Sequence, residues 1–71
     1  MTAFADTVRH ARHQRGESTR VFAERLGVSH MQVVRWENGQ SVPPLARLSS
    51  LAGPLGRTTA ELATMIAEAH P

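Results

Sequence analysis

A chain of 71 residues holds one small domain, a size at which a core is marginal unless short loops join compact helices. It has no cysteine, which excludes a disulfide framework and a thiolate zinc site, and no apolar run approaches the roughly 18 residues of a membrane span. All eight basic residues are arginine and the net charge is only +2, which excludes histone-like charge density and leaves any nucleic-acid affinity to a few placed contacts.

Residues 3 to 15 read as a first helix, with Phe4, Val8 and Ala11 as its buried stripe and Gly16 as its stop. The opposite face carries Arg9, His10, His13 and Arg15. Two histidines three positions apart could hold a metal. Without a cysteine, or a carboxylate on the same turns, they read instead as a solvated or phosphate-facing surface, so no metal and no other cofactor is expected.

A second helix spans residues 18 to 26. Ser18 is its N-cap, Phe22, Ala23 and Leu26 share one face, and Gly27 ends it where a left-handed backbone costs little. A new start signal follows at once. Ser29 is an N-cap with Gln32 as its capping-box partner, and Val28 and Val33 are placed as a hydrophobic staple across it. The third helix, residues 29 to 38, turns Val33 and Trp36 inward and is closed by Asn38-Gly39, two residues that tolerate positive φ. Its outer side holds Met31, Val34, Arg35 and Asn38, with His30 projecting from the first turn. A methionine and a valine flanking an arginine suit a contact surface better than a solvated one.

Residues 40 to 44 form a loop, and Pro43 or Pro44 is placed to open a fourth helix. Leu45, Leu48, Leu51, Ala52 and Leu55 follow at core spacing, but Gly53-Pro54 predicts an end or a kink near Ala52. Thr58 with Glu61 matches reciprocal capping of a last helix from about 59 to 69, whose stripe is Leu62, Met65, Ile66 and Ala69. His70-Pro71 should fray. The charge surplus lies in residues 1 to 40, where six arginines face four acids; beyond them two arginines and two acids balance.

The spacing of Ala23, Gly27 and Val33 resembles the helix-turn-helix of phage repressors and Cro proteins, and Arg35-Trp36-Glu37-Asn38-Gly39 resembles the ending common in the xenobiotic-response-element, or Cro/C1-type, branch. The similarity covers roughly residues 4 to 62 and is most specific from Phe22 to Gly39. It implies an all-α, compact five-helix bundle of the lambda-repressor-like type, with the helix-turn-helix in helices 2 and 3 and residues 1 to 71 as a single domain. It also implies a sequence-specific regulator of transcription, expected to repress, that binds double-stranded DNA as a homodimer on a pseudo-palindrome.

In that docking helix 3 lies in the major groove. Its base-contacting residues are expected to be His30, Met31, Gln32, Val34 and Arg35, with Arg35 offering two donors to guanine. Ser18, Thr19, Arg20, Ser29 and Asn38 are expected at phosphates. Gln32 has two readings, closing the capping box or reaching DNA. Relatives commonly carry glutamine where this chain has Thr19, so that contact should be shorter. They usually carry an apolar residue where it has Glu17, and some carry basic loop residues where residues 40 and 41 have none. The resemblance also implies an ion pair of Arg12 with Glu37, tying helix 1 to helix 3.

Helix 5, around Met65, Ile66 and Ala69, is the expected dimer surface unless that stripe completes the core. The same fold serves as a protein-interaction module, an antitoxin or a bridging coactivator, and that remains the alternative, with a protein partner in place of DNA. No enzyme is expected, because the acids are scattered and no nucleophile, paired base or glycine-rich phosphate loop is present. With no signal-peptide pattern at its start, the chain is expected to be soluble and cytoplasmic.

Overall fold

The computed structural model describes residues 2–69, the side chain of Ala69 excepted. Helix α1 (Ala3–Gln14) starts where the Thr2 hydroxyl accepts the Ala5 amide at 3.1 Å, a cap that supplies one of the acceptors a first turn lacks. It buries Phe4, Ala5 and Val8, with Ala11 half-buried beside them.

Helix α2 (Thr19–Leu26) is capped by Ser18, whose hydroxyl accepts the Val21 amide at 3.2 Å, and it buries Phe22, Ala23 and Leu26. Gly27 then takes φ +73° and ψ +30°, and the Val28 amide turns back to the Ala23 carbonyl at 3.0 Å. A Cβ at Gly27 would meet nothing, so glycine is required there by the backbone alone. Helix α3 (His30–Glu37) starts three residues after α2 ends, with both bonds of the Ser29 and Gln32 capping box formed. At its end Asn38 stays right-handed, at φ −90°, and only Gly39 takes positive φ, where both had been expected to tolerate it.

The fourth helix departs from expectation at both ends. Leu45–Arg47 is a turn of 3₁₀ helix, and α4 (Leu48–Leu55) runs on through Gly53 and Pro54 to a left-handed Gly56. Pro54 lies in the last turn, so its missing N–H removes one bond to the carbonyl of Ser50, an exposed residue that water can serve. Burying Leu51 and Leu55 on one face outweighs that loss. Leu45, expected in the core, is 69% exposed, while Pro43, two positions before it, is buried.

Helix α5 (Thr59–Ala69) is entered through reciprocal bonds, Thr58 amide to Glu61 carboxylate and Glu61 amide to Thr58 hydroxyl, both 3.0 Å. Leu62 and Ile66 are buried and Met65 is half-buried. Of the two readings of the Met65, Ile66 and Ala69 stripe, burial favours completion of the core. Ile66 completes the core, Met65 packs against it, and the Ala69 side chain lies outside the described residues, as does the fraying expected at His70-Pro71. The five helices share one core, in which α1 packs on α3, α4 and α5, α2 on α3 and α4, and α4 on α5.

Two carboxylates report on acid stability. The Arg25 hydrogen bond holds Glu17 below the ordinary carboxylate range, and the Thr58 amide does the same for Glu61. A carboxyl whose folded pKa is depressed is protonated more readily in the unfolded chain, so its contribution is complete above about pH 4.5 and is lost as pH falls through the folded value. Thermal melts between about pH 3 and 6 should show the midpoint falling on acidification, with a shallower acid limb in Glu17→Gln and Glu61→Gln. Equal limbs in all three proteins would count against these bonds.

Candidate nucleic-acid interface

Helix α3 is fixed from its inner side. Val33 and Trp36 are buried, and the Trp36 ring meets Phe4 edge-on, centroids 6.0 Å apart at 71°. Glu37, only 5% exposed, completes that side with a charge that must be paired. Arg12 pairs it. Its Nε donates to Oε2 at 2.7 Å and its Nη2 to Oε1 at 2.9 Å, while Nη1 donates to the Glu17 carbonyl at 3.1 Å. The hydrogen bond to Glu37 holds the Arg12 guanidinium even more firmly in its charged form than an ordinary arginine.

Arg9 joins this cluster, which sequence reasoning missed. Its Nη2 donates to the Glu37 carbonyl at 2.8 Å, and its Nε lies 3.7 Å from the carboxylate. The signal available was the spacing of Arg9 and Arg12, three apart on one flank of α1.

The outer side of α3 presents Met31, which is 51% exposed, with Arg35 and Asn38 exposed and Val34 half-buried. Val34, expected to face out, therefore offers only part of its surface. Gln32 serves the cap, its Oε1 accepting the Ser29 amide at 3.0 Å, so the capping reading is the one adopted. The Ser18 and Ser29 hydroxyls likewise accept amides of their own first turns. His30 and Thr19, both half-buried, meet across the corner, His30 Nε2 lying 2.7 Å from Thr19 Oγ1.

Pairing decides which charges remain for a partner. Arg9 and Arg12 are committed to Glu37, Arg25 is paired with Glu17, and Arg15 donates to the Pro54 carbonyl at 3.4 Å. Arg20, in the first turn of α2, and Arg35, near the end of α3, are exposed and, like Arg15 and the half-buried Arg47, without an ion pair among the described residues. Arg20 and Arg35 are thus two exposed guanidiniums on the helix-turn-helix with no acid partner among the described residues. His13 faces the Arg12 guanidinium at 3.3 Å, and among the described residues no group of three or more His, Asp or Glu could hold a metal. No described helix is long and apolar enough to cross a membrane.

Residues 3–65 match the family model described as a helix-turn-helix domain. Among solved structures, the chain is similar to the crystal structure of the clp gene regulator ClgR from C. glutamicum, with a TM-score of 0.66 at 24% identity, over 99% of this chain and 91% of that one. At that identity the likeness is one of fold. No curated protein matches the chain.

Proposed function

The chain belongs to the helix-turn-helix domain family in its Cro/C1, phage-repressor form, a DNA-binding fold of transcription regulators, and from that premise we propose that it is a cytoplasmic repressor that reads an operator with α3. One observation carries the reading. The inner side of α3 is spent on Val33, Trp36 and Glu37, which leaves Met31, Arg35 and Asn38 free on the outside of a rod about 10 to 12 Å across, the width of a major groove.

In the proposed complex Arg35 gives two parallel donors to guanine O6 and N7, and Met31 with the open part of Val34 packs on thymine methyl groups. His30 and the amide nitrogen of Gln32 reach further base edges. Arg20, Thr19, Asn38 and the hydroxyls of Ser18 and Ser29 meet phosphates, which fixes register and not sequence. So few charged contacts per copy give weak binding that falls steeply with salt, so two copies on half-sites about 34 Å apart are required.

Selection of bound duplexes from a random library tests this. The parent should yield a two-fold symmetric site containing guanine, and Arg35→Ala should lose about tenfold in discrimination at that guanine. An Arg35→Ala protein as selective as the parent would refute the reading geometry.

A further inference from the structure

The described residues include two methionines, Met31 and Met65, and their sulfurs stand in different surroundings. Met31 is 51% exposed in the first turn of α3 and has no hydrogen bond among the described residues. Met65 is half-buried against the core, and its Sδ accepts the Thr7 hydroxyl at 3.4 Å. An oxidant attacks a thioether at a sulfur lone pair, so access decides which methionine reacts first. Met31 is the open one.

The product of that reaction differs in the property on which base reading depends. A peroxide gives one oxygen atom to the sulfur: its O–O bond breaks, an S–O bond forms, sulfur loses two electrons, and the remaining peroxide oxygen is reduced and leaves as water. A flexible apolar side chain becomes a polar acceptor, which no longer suits a thymine methyl group. Arg35 stands four positions on, exposed on the same face, where Cβ atoms are about 5 to 6 Å apart. Helix side chains lean toward the N-terminus, so the long Arg35 chain extends back toward the turn that carries Met31. A sulfoxide oxygen there accepts from the guanidinium, in competition with guanine O6 and N7.

We propose that Met31 is a modification site for peroxides, whose sulfoxide engages Arg35 and removes both the thymine and the guanine preference of α3 without unfolding the domain. This rests on the DNA-binding reading above. The fold is spared because the Met31 side chain is not part of the core. The change is also reversible, since methionine sulfoxide reductases, one for each sulfoxide epimer, restore the thioether.

The test treats the parent and Met31→Leu with dilute hydrogen peroxide and follows oxygen uptake at each methionine by peptide mass spectrometry. Met31 should be oxidised ahead of Met65. Duplex selection then compares each protein with itself before and after treatment. The oxidised parent should lose about tenfold in discrimination at the guanine assigned to Arg35 and regain it after treatment with the reductases. Met31→Leu should keep its own preferences through the same treatment, and the melting midpoint of the oxidised parent should stay within about 5 °C of the reduced one. Earlier reaction of Met65, loss of discrimination in oxidised Met31→Leu, or loss of the cooperative melt in the oxidised parent would each overturn the proposal. An oxidised parent that reads its site as before overturns it too and leaves the regulator reading standing, whereas a reduced parent that retains no duplex removes both.

Discussion

Trp36→Ala should cost about 4 kcal/mol, enough to leave a domain of this size mostly unfolded at room temperature. Trp36 is 2% exposed and edge-on to Phe4, and it is the largest side chain in the core that α1 and α3 share. Truncation removes the transfer free energy of the indole and leaves a cavity between two short helices, neither of which is stable in isolation at 12 and 8 residues. A thermal melt followed by circular dichroism should show the midpoint lower by about 20 °C, or no cooperative transition. A drop under about 5 °C would mean that something other than this ring seats α3.

Glu37→Ala should be nearly as damaging, at about 3 kcal/mol, for a different reason. The pair itself gains little over apolar residues of equal size, because both charges were taken out of water to form it. Removing one member leaves the Arg12 guanidinium, whose side chain is 17% exposed, without its carboxylate. Arg12→Met combined with Glu37→Leu should therefore be more stable than Glu37→Ala alone, by at least about 1 kcal/mol in urea unfolding. Equal midpoints for the two proteins would refute the stranded charge as the source of the loss.

The two helices of the recognition unit were legible because their limits are written locally. Ser18, Gly27, Ser29 and Gln32 act within four residues of themselves, through caps and a left-handed turn, and the structure forms each of those devices. Pro54 shows where such rules stop. Its local preference to break a helix is real, but the burial of Leu51 and Leu55 was the larger quantity, and sequence alone does not say what covers a stripe. The same gap misplaced Leu45 in the core and left Ile66 open as a dimer contact.

Long-range polar partners were the least legible part of the site. Arg9 reaches a carbonyl 28 positions away, announced only by its helical spacing to Arg12, and Thr19 a ring eleven positions away with no periodicity to announce it. Exposure along α3 was better served by the helical wheel. It places Met31, Arg35 and Asn38 outside as expected, and errs in how far Val34 and His30 stand clear.

Arg12 has a consequence beyond stability. From α1 it holds the Glu37 carboxylate at the end of α3 and the Glu17 carbonyl just before α2, and Glu17 in turn grips Arg25 near the end of α2. A single side chain thereby ties the two helices that would meet a duplex to α1, which leaves the corner between them less to order on association. Part of the ordering entropy that a looser corner would forfeit at the moment of contact is forfeited during folding instead.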